Sequence, residues 1–294
     1  MASDRIDLGR ANDRVIVGVD GSAGANLALD WAVHNEDRFG PVTPVVSYHV
    51  DALVDGVGTT SMYEQMLDVL ERDAAARLDE AAVRHPSLAG RGHTIREHAG
   101  PALVKASRGQ RLLVVGSRGR SALAETLLGS VASYCVKHAT APVAVIPAGT
   151  EVDRAIDHLV VGVDGSRNAD AALTWAAANV ADGGRISATV CRGPGPYALE
   201  LMPPQPFPTA QLEAMATEAI ERSIGDLDPE RKVTVDIEVI DGDPRLALRD
   251  AADEAALLVV GTRGHRGAAY LLLGSVTTSL VHHPTVPTVV VPAG

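Results

Sequence analysis

The stretch LLVVGSRG at residues 112–119, followed after seven residues by LLGSV at 127–131, decides how this chain folds, because it is written twice. LLVVGTRG at 257–264 is followed after the same seven residues by LLGSV at 272–276. In each copy two residues part the first glycine from the second, and nine part the second from the third: Gly116, Gly119 and Gly129, then Gly261, Gly264 and Gly274. Upstream, VIVGVDGS ends at Ser22 and LVVGVDGS ends at Ser166. The offset is 144 residues between Asp20 and Asp164 and 145 between Gly116 and Gly261. A spacing kept over that distance implies two copies of one domain. The unit has the size of an independent globular domain and is too long for a solenoid repeat.

Working outward from the repeat, short apolar runs alternate with helical spacing. Runs at 15–19, 45–50, 94–98, 112–115 and 143–146 predict five strands, and those at 159–163, 186–190, 233–240, 257–260 and 288–291 predict five more. Continuous apolar runs are the mark of strands buried on both faces. Strands alternating with helices imply a parallel sheet with right-handed crossovers. The expected architecture is α/β: two Rossmann-like doubly wound domains with helices on both faces of each sheet. Residues 1–13 read as a loose tail, 14–148 as the first domain, the polar segment 149–157 as a linker and 158–294 as the second domain. Pro101 to Gly116 spans 15 positions and Pro244 to Gly261 spans 17, which predicts a helix half a turn shorter in the first half. The proline-rich stretch 193–208 predicts a rigid loop over the second domain.

Composition narrows the function. Apolar residues make up 46% of the chain and aromatics only 3%, so the core is built from Ala, Val and Leu. Trp31 and Trp175 fall at matching helical positions and read as core anchors. The net charge of −11, with no Lys/Arg block, argues against nucleic acid as a partner. Cys135 and Cys191 make no disulfide framework; they read as small buried residues of a reduced, cytoplasmic protein. The N-terminus has no secretory signal, and no stretch has the length of a membrane-spanning helix.

The chemistry lies in the glycines. Gly116 ends an apolar strand and Gly119 follows; a residue without Cβ admits positive φ and lets a ligand approach the backbone. Successive N–H groups in such a loop form an anion nest. Gly129 and Ser130 open the next helix, with Ser130 as the expected N-cap, and a helix N-terminus attracts phosphate. Arg118 and Arg120 in the first copy, and Arg263, His265 and Arg266 in the second, add positive charge. Asp20 and Asp164 end the first strand of each half; if that strand neighbours the fourth, each carboxylate faces its own glycine loop. There it would bond a purine edge or ribose, cap the following helix, or hold a divalent ion bridged to phosphates. His49 ends the second strand, near the pocket mouth. The histidines form no convincing metal site. No Walker, zinc-protease, nucleophile-elbow or dinucleotide motif is present, and no catalytic residue is assigned.

These residues resemble the universal stress protein family in its tandem two-domain form, like those of actinobacteria. The family pattern G-x2-G-x9-G-[ST] is met by Gly116, Gly119, Gly129 and Ser130, and again by Gly261, Gly264, Gly274 and Ser275. The resemblance implies five parallel strands per domain in the order 3-2-1-4-5, and the ATP-binding branch of the family. It implies Gly18 and Asp20, and Gly162 and Asp164, beside the adenosine. Gly116, Ser117, Arg118 and Gly119, and Gly261, Thr262, Arg263 and Gly264, would wrap ribose and phosphates. Ser130 and Val131, and Ser275 and Val276, would hold phosphate. Val50 would lend an apolar surface to adenine, with Arg192 as its apparent counterpart in the second half. The last strands would pair antiparallel within the chain, and two chains would form a homodimer.

The function expected is that of an ATP-binding, nucleotide-dependent regulator in the stress response, with Mg²⁺ accompanying the ATP and a protein partner the sequence does not name. The alternative is a slow ATP hydrolase or a phosphoryl or nucleotidyl transferase in the same pockets. Bulkier residues at Gly116 and Gly261 are expected to abolish nucleotide binding while the fold survives.

Overall fold

A computed structural model describes residues 13–50, 60–119, 128–192, 208–225, 229–264 and 273–293. The tail at 1–12, the proline-rich stretch at 193–207 and Arg120, His265 and Arg266 lie outside the described residues.

The first half contributes β1 (Val15–Gly18), β2 (Val42–Tyr48), β3 (His93–Arg96), β4 (Leu112–Gly116) and β5 (Val143–Ile146). The second contributes β6 (His158–Gly162), β7 (Arg185–Arg192), β8 (Thr234–Asp241), β9 (Leu257–Gly261) and β10 (Thr288–Val291). They form one sheet in the order β3-β2-β1-β4-β5-β10-β9-β6-β7-β8. Within each half the order is 3-2-1-4-5 and every pairing is parallel, as expected. The halves join by antiparallel pairing of β5 with β10 in the register Thr288–Val145, Val289–Ala144 and Val290–Val143. The sheet therefore runs through both domains.

Strand alternation sends successive side chains to opposite faces. Val15, Val17, Leu112, Val114, Ala144 and Ile146 point to one core, and Ile16, Leu113, Val115, Val143 and Val145 to the other. The first core is covered by α1 (Ala23–His34), α3 (Thr60–Arg84), α6 (Arg167–Asn179) and α7 (Thr209–Ile224). The second is covered by α4 (Ala99–Ala106), α5 (Ser130–His138), α8 (Pro244–Ala252) and α9 (Ser275–His282). A short helix, α2 (Glu36–Phe39), leads into β2.

Three expectations need correction. The second strand, expected at 45–50, begins at Val42 and ends at Tyr48. Pro44 obscured its start; β3 joins β2 only from Val45, so the missing N–H takes no rung from that ladder. The half-turn deficit in the first half does not exist. Helix α4 starts at Ala99 and α8 at Pro244, so the two starts keep the 145-residue offset and the helices differ by one residue. Pro101 is the third residue of its helix and Pro244 the first, so matching the prolines misaligned the helices. Third, Arg192 is not the counterpart of Val50. Gly18 pairs with Val45 and Gly162 with Thr189, which aligns Arg192 with Tyr48.

Both tryptophans sit at the junction of the halves. Trp31 on α1 is buried, Trp175 on α6 is half-buried, and Phe39 lies stacked between them at ring-centroid distances of 5.4 and 5.8 Å. Arg38 Nη1 donates to the Asn179 carbonyl at 3.0 Å, a second bond across the junction. Truncating Phe39 empties a filled site between two helices. The Phe39→Ala variant is expected to lose about 3–5 kcal/mol of unfolding free energy, read as a lower midpoint in urea denaturation.

Candidate functional site

The first-domain site is built where β1 and β4 run side by side with their carboxyl ends together. Chain reversal after β1 uses Gly21, which takes φ +79°, and Ser22 caps α1 by accepting from the Ala25 N–H at 3.2 Å. Asp20 Oδ1 accepts from the Ser22 N–H at 2.9 Å. Asp20 is thus not the helix cap; it is held two residues before it, with its carboxylate over the glycine loop. A Cβ on Gly119 would stand 2.9 Å from Asp20 Oδ2. The second copy repeats this closely. Gly165 takes φ +77°, Ser166 caps α6, Asp164 Oδ1 accepts from the Ser166 N–H at 3.1 Å, and a Cβ on Gly264 would stand 2.3 Å from Asp164 Oδ2. Each Asp does face its own glycine loop.

The loop glycines are required for space. Positive φ belongs to Gly21 and Gly165 and is not found at Gly116, Gly119, Gly129, Gly261, Gly264 or Gly274. A Cβ at Gly116 would lie 2.6 Å from the backbone of Gly24, and one at Gly24 would lie 2.5 Å from the Arg118 carbonyl. Helix α1 therefore touches β4 backbone to backbone. In the second copy Asn168 stands where Gly24 does, and its Cβ would lie 2.5 Å from a Cβ at Gly261. Asn168 Oδ1 accepts from Thr262 Oγ1 at 2.9 Å and from the Ala293 N–H at 3.3 Å.

The phosphate end also differs from expectation in detail. Ser130 is the first residue of α5 and is exposed; Gly129 is the N-cap and makes no side-chain capping bond. Gly274 and Ser275 repeat this at α9. The Gly129 N–H donates to the Ser117 carbonyl at 2.8 Å, and the Gly274 N–H to the Thr262 carbonyl at 2.8 Å. These bonds seat each helix N-terminus against its glycine loop. The first-turn N–H groups of Ser130, Val131 and Ala132 have no acceptor within α5, and these residues line a cleft of about 650 Å³.

Gly18, Asp20, Gly116, Arg118, Gly119, Gly129, Ser130 and Val131 all line that cleft, which brings eight predicted site residues together. Ser117 is buried behind the loop, with its N–H bonded to the Ile146 carbonyl at 2.8 Å. Val50 is buried and is not among the lining residues; Val46, Tyr48 and His49 line the cleft in its place. His49 is exposed and its ring lies 3.9 Å, centroid to centroid, from that of His98. Burial, reinforced by Glu71, pushes the Tyr48 phenol above its ordinary range, so it stays a neutral donor.

The pattern did not reveal Arg77. From α3 it donates to the Asp20 carbonyl, while Asp73, one turn away on the same helix, holds its Nε at 3.1 Å. The only trace in sequence is an acid–base pair at i, i+4 within a 25-residue helix. In the second domain Met215 of α7 takes this place. Its Sδ lies 2.9 Å from a Cβ built on Gly165, where Arg77 is the nearest group to Gly21. Arg192 is bonded bidentately to Asp241 and also to Thr209.

Both cysteines are protonated thiols. Burial pushes Cys135 up to about 12 and Cys191 up to about 11, the latter with help from Asp243. Neither is poised as a nucleophile.

With this geometry in place, a model of the universal stress protein family matches residues 11–147 and again residues 155–292. The chain belongs to the universal stress protein family. Universal stress protein Rv2005c of Mycobacterium tuberculosis is 30% identical over 292 residues, which cover 96% of this chain and 97% of that protein. Universal stress protein Rv1996 of the same organism is 28% identical over 311 residues, covering 99% and 96%. Among solved structures, a universal stress protein from Archaeoglobus fulgidus superposes with a TM-score of 0.68 at 22% identity, covering 98% of each chain. That likeness establishes the shared fold. The family's tandem arrangement is present here over the full length of the repeat.

Because Gly116 meets backbone and Gly119 meets only a carboxylate, the two glycines separate stability from site geometry. Gly116→Ala is expected to cost about 1–3 kcal/mol through overpacking of α1 on β4. Gly119→Ala is expected to stay within about 0.5 kcal/mol of the parent. Chemical denaturation of the two variants measures the difference.

Proposed function

We propose that the first-domain cleft binds ATP with Mg²⁺, and that its occupancy makes this cytoplasmic protein a nucleotide-dependent regulator in the stress response. One observation carries the reading: a carboxylate, a loop flanked by glycines and a helix N-terminus meet in one cleft. Each answers a different part of a nucleotide. The adenosine lies by Gly18 and Asp20, between Tyr48 and Leu103, and Asp20 bonds the base or ribose. The phosphates lie along Gly116, Ser117, Arg118 and Gly119 and end on the N–H groups of Ser130 and Val131, behind Gly129, where the helix dipole favours negative charge. Mg²⁺ would accompany the phosphates and be held mainly by their oxygens and by water, as is usual for that ion.

The second domain offers the same scheme through Gly162 and Asp164, through Gly261, Thr262, Arg263 and Gly264, and through Gly274, Ser275 and Val276. It does so with Met215 in place of Arg77, and therefore with weaker affinity. Regulation requires ATP to bind two conformations unequally. The shared sheet gives a shift in one cleft a path to the other domain. With β5 and β10 paired inside the chain, the proposed homodimer uses another surface.

Isothermal titration of the full chain with ATP and Mg²⁺ tests this. Asp20→Ala is expected to weaken the tighter binding event by about tenfold or more, and Asp164→Ala to affect only the weaker one. An absence of saturable heat in the parent protein overturns the reading.

A further inference from the structure

A second cavity of about 280 Å³ opens where the two domains meet. Antiparallel pairing creates it: β10 starts opposite the end of β5, so the turn from α9 into β10 lies over the exits of β4 and β5. Arg118 enters the cavity from the end of β4, Arg249 from α8, His282 from the end of α9, and His283 and Thr285 from that turn. No carboxylate is among the lining residues that are described, in a chain whose net charge is −11.

Helix dipoles explain one basic residue at the end of α8 and another at the end of α9. They do not explain why both helix ends and Arg118 open onto one cavity. Nor does the repeat demand it, for the residue 145 positions before Arg249 is the buried Val104. The carboxylate found near Arg249 is that of Asp250, 3.5 Å away on the more exposed side.

We propose that this junction cavity binds a small phosphate-type oxyanion through Arg118, Arg249 and His283, with the Thr285 hydroxyl as a further donor. Guanidinium groups suit such a ligand because their paired N–H groups match two oxygens at once. The volume lies at the lower end of ligand pockets and fits an anion rather than a nucleotide. Burial, and then the charges of His283 and of Lys137 on α5, keep His282 below the ordinary imidazole range. An oxyanion seated beside it would raise it again. Arg118 also lines the nucleotide cleft, so the ligand would touch both domains and the wall of the first site. The site shares Arg118 with the nucleotide cleft, but Arg249, His283 and Thr285 do not line that cleft, so variants at these three positions separate the two sites.

Calorimetric titration of the full chain with inorganic pyrophosphate tests the proposal. The expected result is one saturable event that weakens with added salt. The double variant Arg249→Gln/His283→Gln is expected to weaken it by about tenfold or more. Thr285→Glu, which puts a carboxylate into the cavity from an exposed turn, is expected to abolish it and to remove the rise in melting temperature that pyrophosphate gives the parent. Should the double variant fail to fold, Thr285→Glu decides alone. An absence of saturable binding, or binding that Thr285→Glu retains, overturns the proposal; the latter places the anion elsewhere in the protein.

Discussion

The pairing of β5 with β10 is the contact on which the whole molecule depends. Each of these strands would be the open edge of a five-stranded sheet, and an apolar edge with unpaired backbone groups invites association with other chains. Joining them removes both edges at once and buries Val143, Ala144, Val145, Val289 and Val290. The two cores then run uninterrupted from one domain into the other. The Trp31–Phe39–Trp175 stack and the cationic cavity lie at this junction, the first beside helices α1 and α6 and the second beside the turn into β10.

Within each domain a different constraint rules. The first turn of α1 must lie against β4 closely enough for the caps after β1 to present Asp20 to the loop after β4. Gly24 and Gly116 permit that approach by having no side chains, and Gly119 leaves room for the carboxylate. The resulting concavity is lined by backbone on one side and by α3 on the other, with Arg77 fixed between Asp20 and Asp73. A polyanion in such a place meets dipoles already oriented toward it, so little reorganisation accompanies binding.

The two copies keep the scaffold and vary the walls. Asn168 replaces Gly24, Met215 replaces Arg77, and Arg192 replaces Tyr48. None of these exchanges disturbs strand order: Gly24 and Asn168 lie at helix starts, Tyr48 and Arg192 at strand ends, and Arg77 and Met215 within the helices α3 and α7. They change charge and polarity around the ligand, which is where one fold acquires distinct sites.

The tandem repeat and the parallel sheet were legible in the chain itself; the strand order came from the family resemblance, and the meeting of Asp20 with Gly119 follows once β1 and β4 are neighbours. Apolar runs of five residues, and glycines kept at fixed spacing, report local requirements: burial on both faces and backbone without Cβ. Other features were not legible. That Gly129 rather than Ser130 caps α5, that helix starts and not prolines align α4 with α8, and that Val46 and Tyr48 rather than Val50 line the cleft beside His49 depend on register, which no local pattern carries. Arg77, Met215 and the basic junction cavity were hidden for a stronger reason. Their residues lie tens to more than a hundred positions from the groups they meet, on helices whose own spacing records only which face is buried. The sequence alone determined the architecture and the backbone cradle, because both follow from short-range chemistry. The tertiary structure decided what surrounds the cradle, because only packing brings distant charges to one place.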